Sequence, residues 1–306
     1  MHLTERWFGN PLWRKELRQR MRSGRTVLAL SLYLFVIGAV AFIFMYVNVQ
    51  GQTLLLQPAR TAELFMFLSY LQLAMISFVT PGIAAGTISG ERERQTLAVL
   101  LTTPLSPTSI IIAKFISSIS FLLLLIVMTL PLYSIVFLFG GVVPSQVFAV
   151  FGLQSLTLGT IASVSIFFST WLRKTGWSTV FSYATVALLF LGLAILGYFL
   201  DDLSAHSPDQ GILSWLSSLC YSINPLYMQA SLEATVGFIT PAFHQPVVAS
   251  VFSVVASHDL TSFSAWFTFL LVYVGGSFVL LIASIWRLRP GGLIVMKKRL
   301  VKWLMR

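Results

Sequence analysis

Between Phe115 and Leu172 the chain carries no charged residue. A helix that crosses a bilayer needs about 20 predominantly apolar residues. A charge at its centre costs about 2.5–3.5 kcal/mol on insertion scales. Intervals between charges therefore measure spans. This long interval is interrupted by Gly140-Gly141-Val142-Val143-Pro144, which divides it into two helices joined by a tight turn. The expected spans are 26–49, 64–88, 110–139, 145–171, 176–200 and 261–286. Hydrophobic residues make up 57% of the 306 and charged residues 10%, against about 25% charged in soluble domains. Too little polar sequence remains for a separate soluble domain. A membrane barrel would need alternation at a period of two. The runs are instead continuous and rich in Leu, Ile, Phe and Ala, so the expected fold is all-α and integral to a membrane. The basic segment ahead of the first span, and the length of that span, read as a retained anchor rather than a cleaved signal.

Six spans place both termini on one side. All of the 20 Lys and Arg residues except Arg60 then fall on that side, which the positive-inside rule makes cytoplasmic. The +10 balance is thus a record of topology, and it does not imply a nucleic-acid partner. The segment 211–241 is apolar enough to be weighed as a seventh span. A seventh crossing would put the basic residues of the tail 287–306 on the outer side, against the positive-inside rule, so the segment is read as short helices at, or dipping into, the outer face within a loop 201–260. The lone cysteine, Cys220, has no partner for an internal disulfide.

Two cytoplasmic parts stand out. In 1–25, Asn10 can cap a helix and Pro11 suits its first position. Trp13, Leu17 and Met21 share one face, and Arg14, Lys15, Arg18, Arg20 and Arg22 fill much of the rest. That is a basic amphipathic helix suited to an anionic leaflet or a cytoplasmic partner. The loop 89–109 begins with the alternating charges Glu91, Arg92, Glu93 and Arg94, followed by Leu97, Leu100 and Leu101 at helical spacing. Pro104 stops that helix, and Ser106-Pro107 can start the next. A plain connector needs only a few residues. This one would expose three leucines unless something covers them.

The string GERERQTLAVLLTTPLSPTSIIIAK resembles the signature of ABC-2-type transporter permeases, and NPLWRKELRQRMRSGRT is similar to that family's opening helix. With six spans and outer helices between the fifth and sixth, the resemblance covers nearly the whole chain. Gln95 stands where the family often has glycine, and Ala98 where it often has an acid. The resemblance implies a dimer of permeases, identical or related, with two cytosolic ATP-binding subunits that carry ATP and magnesium. It implies that the loop after the second span is a coupling helix, with Glu91, Arg92, Glu93, Arg94, Thr96, Leu97, Leu100 and Leu101 as contacts to the ATPase. It also implies export, and a dimer interface and pathway lined by the second and fifth spans. No G-x-x-x-x-G-K-[ST] loop occurs here, so hydrolysis by that route belongs to another chain and this one is not expected to be an enzyme.

Within the spans, Gly82, Gly86 and Gly90 recur every four residues, a spacing that lets backbones approach. The contact could lie within one subunit or between two. Pro81 and Pro131 are expected to kink their helices. Ser69, Gln72, Ser77 and Thr80 form a polar stripe that suits either a pathway lining or hydrogen bonds between helices. No ionisable residue falls near the middle of a span. This disfavours a proton- or ion-coupled carrier and favours a lipidic or amphipathic substrate over a small ion. Two rivals remain, an ATP-independent channel or carrier and a membrane enzyme using His206, His244 and His258 with Asp201, Asp202 and Asp259. The histidines lack metal-binding spacing.

Overall fold

A computed structural model describes residues 24–49, 58–102, 106–138, 142–206, 210–235 and 246–289. The opening helix expected on Trp13, Arg14, Leu17, Arg18 and Met21 lies outside these residues, as do Pro104, His244 and the tail from 290.

The described residues are helical and contain no strand. They form α1 (Gly24–Val49), α2 (Pro58–Ala84), the short α3 (Ser89–Glu93) and α4 (Leu97–Thr102), α5 (Pro107–Met128), α6 (Leu130–Leu138) and α7 (Pro144–Trp171). There follow α8 (Thr175–Ala187), α9 (Leu193–His206), α10 (Gln210–Ile223), α11 (Pro225–Thr235), α12 (Pro246–Ser257), α13 (Phe263–Leu270) and α14 (Gly276–Leu288). A π turn at Leu188–Gly192 fuses α8 to α9, and another at Leu271–Gly275 fuses α13 to α14. Among the described residues five stretches are long and apolar enough to cross a membrane: Ala62–Glu93, Pro107–Ser134, Pro144–Trp171, Thr175–His206 and Phe263–Leu288. The apolar parts Leu30–Tyr46 of α1 and Gly211–Ile223 of α10 are shorter.

Helix α7 is the axis of the bundle. It packs against α2, α5, α8 and α14, and 67% of its apolar window is buried, against 11% for Thr175–His206 and 17% for Phe263–Leu288. Its small and hydroxylated residues explain this position. Thr157, Ser163, Ser165 and Thr170 donate to carbonyls four residues back. Their polarity is thus satisfied on their own helix while neighbouring backbones come close. The core beside it joins Tyr33 and Ile37 of α1, Phe65, Leu68 and Ile76 of α2, Leu122 and Leu125 of α5, Tyr133 of α6, and Val147 and Val150 of α7.

The breaks have local causes. Ser106 accepts from Ser109 N at 3.2 Å and Pro107 takes the first turn of α5, as the sequence suggests. Thr129 interrupts α5–α6 two residues before Pro131, whose missing N–H and ring weaken the preceding turn. Helix α9 runs to His206, beyond the expected end at 200, so Asp201 and Asp202 sit on helix rather than loop. Asn224-Pro225 separates α10 from α11; Asn224 Oδ1 accepts from Leu226 N at 3.0 Å, and its Nδ2 donates to Phe190 O, within the first π turn, at 2.8 Å.

Candidate functional site at the loop between α2 and α5

Helix α2 ends at Ala84. Residues 85–88 form a turn, and α3 and α4 follow. Between these two short helices Gln95 adopts φ 59°, the left-handed region that glycine enters without strain. Gln95 holds the position at which the resembling family often has glycine. The backbone here needs what glycine supplies, and Gln95 adopts it at some cost.

The charged residues of α3 each reach a different helix. Glu91 Oε1 accepts from Lys114 Nζ of α5 at 2.7 Å, with the lysine side chain only 3% exposed. Arg92 donates from Nη1 to Leu172 O at 2.7 Å and from Nη2 to Thr170 O at 3.1 Å. The last carbonyls of a helix lack intrahelical partners, and a cation there also meets the negative end of the helix dipole. Arg92 therefore closes the C-terminus of α7. Glu93 accepts from Thr175 N at 2.7 Å and from Thr175 Oγ1 at 2.8 Å, an anion at the N-terminus of α8. Below them, Ser169 Oγ accepts from both Ile88 N and Ser89 N, at 2.9 and 3.0 Å, so α7 holds the turn that launches α3. Three consecutive charged side chains thus tie one loop to α5, α7 and α8.

Arg94, Gln95 and Thr96 are exposed. The leucines are not. Leu97 is buried, and Leu100 and Leu101 pack against a cluster of Ala84, Ile88, Ile110, Ile111, Ala162, Ile166 and Leu288. The exposure expected from their spacing is relieved within the chain, because α4 folds back onto the ends of α2, α5, α7 and α14. The same end gathers Arg173, Lys174, Arg287 and Arg289, with Arg287 5.5 Å from the centre of the Trp171 ring.

The three glycines face one helix. A Cβ at Gly82 would lie 3.3 Å from Tyr183 Oη, one at Gly86 3.3 Å from Thr175 Cγ2, and one at Gly90 3.9 Å from Thr175 Oγ1. Their close approach is to α8 of the same chain. The polar stripe of α2 is buried. Gln72 Nε2 donates to Thr129 Oγ1 at 2.9 Å and Gln72 Oε1 accepts from Tyr133 Oη at 2.6 Å. Thr80 donates to Ile76 O, Ser77 Oγ has no hydrogen-bond partner among the described residues, and Ser69 meets Gln229 and Glu233 of α11.

At the opposite end, His206 Nδ1 lies 2.8 Å from Asp202 O of its own helix. His258 Nε2 lies 3.0 Å from Asp201 Oδ1 and 3.3 Å from Ser217 Oγ. Both of these neighbours meet Nε2, so Ser217, His258 and Asp201 do not form a relay, which needs one partner on each nitrogen; Nδ1 lies 2.9 Å from Ser257 Oγ of the preceding residue and 3.2 Å from Val254 O. Among the described residues no group of three or more His, Cys, Asp or Glu side chains could hold a metal ion.

The buried pair Gln229–Glu233 is what sequence reading missed. A search for ionisable residues inside spans passes over it, because α11 is not a span. Its signal was there: Glu233 is the one charge in Pro225–Thr235, one turn after a glutamine.

A helical bundle with several lipid-length spans and a braced, charged loop at one end has the build of a multi-pass membrane transport subunit. Residues 11–290 match the profile of the ABC-2 family transporter proteins, and the chain belongs to that family. It is thus an ABC transporter permease, a class of membrane subunit that associates with an ATP-binding subunit. No curated protein matches it significantly.

Proposed function

We propose that the chain is the six-span permease of an exporter whose ATP and magnesium sit on separate cytosolic ATP-binding subunits. In this reading α1 is the first span, both termini are cytoplasmic, and residues 89–109 are the coupling loop. The permease pairs with a second, identical or related, permease in the cell membrane, surrounded by lipid.

The observation that carries the reading is the bracket of α3. Glu91, Arg92 and Glu93 are occupied within the chain, so they serve as the linkage by which a push on the loop reaches α5, α7 and α8 together. Arg94, Gln95 and Thr96 are the exposed residues left to meet the ATPase. The basic residues gathered at this end support a cytoplasmic loop end. Burial of the polar stripe on α2 corresponds to a closed arrangement. Opening requires its hydrogen bonds to change partners, which suits a substrate with both apolar and polar parts.

The test is co-purification of the chain with the P-loop subunit encoded beside it, together with ATP hydrolysis by the complex. Arg94→Glu with Thr96→Arg removes the subunit, whereas Glu93→Gln retains it and lowers transport per ATP. Retention of full transport by both variants refutes the assignment.

A further inference from the structure

Helix α11 lies against α7 and brings a carboxyl group into the bundle. The Glu233 side chain is fully buried. Its Oε1 lies 2.7 Å from Ser69 Oγ and accepts from Gln229 Nε2 at 3.3 Å, while its Oε2 has no hydrogen-bond partner among the described residues. Gln229 Nε2 also donates to Ser69 Oγ at 2.9 Å. Gln154 Nε2 of α7 donates to Ser69 O at 3.0 Å, and Gln154 Oε1 has no hydrogen-bond partner among the described residues.

Counting protons decides the state of this group. Ser69 Oγ lies 2.8 Å from Met66 O and 2.7 Å from Glu233 Oε1, but a hydroxyl has one proton to donate. If Glu233 is ionised, one of these two short contacts is oxygen against oxygen with no hydrogen between them. If Glu233 is a neutral acid, its O–H donates to Ser69 Oγ. Ser69 then donates to Met66 O and uses its two lone pairs for Glu233 and Gln229. Every contact holds a proton, and the unpartnered Oε2 is a carbonyl oxygen rather than half of a buried charge, which would cost far more.

Among the described residues no counter-charge is paired with Glu233. Among the described residues, Tyr70 of α2 and Tyr133 of α6 are titratable groups close enough to feel Glu233. His258, which follows α12, pairs with Asp201 of α9, and Tyr221 of α10 donates to Asp201 as well. Cys220 and Tyr227 also face Asp201. No ion pair to Glu233 is found among the described residues. Burial pushes the carboxyl up to about 8, with the Ser69 and Gln229 hydrogen bonds pulling only partly against it.

We propose that Glu233 is a proton-binding site: protonated, it latches the 225–235 helix to α2 through Ser69; on losing its proton to the adjoining solution, it leaves that contact and frees the helix. The sign follows from linkage. The folded form holds the proton more tightly than the unfolded form, so the latch is strongest at low pH and weakens as pH rises from the ordinary carboxylate range through about 8.

The test uses the full chain in lipid nanodiscs. The carbonyl stretch of a protonated carboxyl, identified by infrared difference against Glu233→Gln, is present at neutral pH and disappears in alkali. In parallel, Cys220 is labelled with a bulky maleimide across the same pH range. Dividing each wild-type rate by the Glu233→Gln rate removes the titration of the thiol itself. The ratio rises severalfold above the midpoint of the infrared change. Absence of the neutral-pH band overturns the protonated assignment, and a ratio that stays flat while the band titrates overturns the latch. Glu233→Gln supplies an amide of the same shape, so its folding does not depend on the proton.

Discussion

The ion pair between Glu91 and Lys114 fixes the loop to α5, and its strength can be measured. At 2.7 Å and an effective dielectric constant near 20, the gross attraction is about 6 kcal/mol. Desolvation offsets much of it, because Lys114 is 3% and Glu91 29% exposed. Exposed pairs are worth roughly 0.2–1 kcal/mol, while removing one partner of a buried pair costs about 3–5 kcal/mol. This pair lies between the two, so a coupling energy of about 2 kcal/mol is expected. The assay is a double-mutant cycle with Glu91→Gln, Lys114→Met and the double variant, followed by reversible unfolding in mixed micelles. Each single variant loses more than the double variant implies, because each strands the opposite charge. Single effects that add within about 0.5 kcal/mol would show that the pair does not couple, and the bracket would lose its link to α5.

Two substitutions probe the backbone. Gln95→Gly releases the left-handed residue between α3 and α4 and raises stability by about 1 kcal/mol; a loss in the same unfolding assay would mean the Gln95 side chain contributes more than its backbone costs. Gly197→Ala places a Cβ 2.8 Å from Tyr221 Cε1 and costs about 1–3 kcal/mol, whereas Gly211→Ala, with nothing within 4 Å, is close to neutral; equal melting temperatures for the two would contradict the packing of α9 on α10.

Because charge is costly in lipid, the helical, apolar character of the bundle is legible before folding: the expected intervals 64–88, 110–139, 145–171, 176–200 and 261–286 overlap Ala62–Glu93, Pro107–Ser134, Pro144–Trp171, Thr175–His206 and Phe263–Leu288, while the expected 26–49 meets only the shorter apolar helix Leu30–Tyr46. Local chemistry also reads through, as at Ser106-Pro107. What periodicity could not supply was the partner of each polar group. Arg92 meets carbonyls 78 and 80 residues away, and only the unsatisfied ends of α7 and α8 hinted that a cation and an anion were wanted there. Leu97, Leu100 and Leu101 looked exposed because their cover comes from four helices distant in sequence. Glu233 escaped notice for a similar reason: a short helix outside any span carries it into the bundle.

In the proposed function, α3, α4 and the turn between them face an ATP-binding subunit. A photo-crosslinking amino acid placed at Thr96, with Ile212 at the opposite end as control, tests it directly in cells. The expected result is a crosslink from position 96 to a separate chain bearing G-x-x-x-x-G-K-[ST], and none to that chain from position 212. A crosslink to the P-loop chain from 212 alone, or from neither position in a complex that transports, contradicts it.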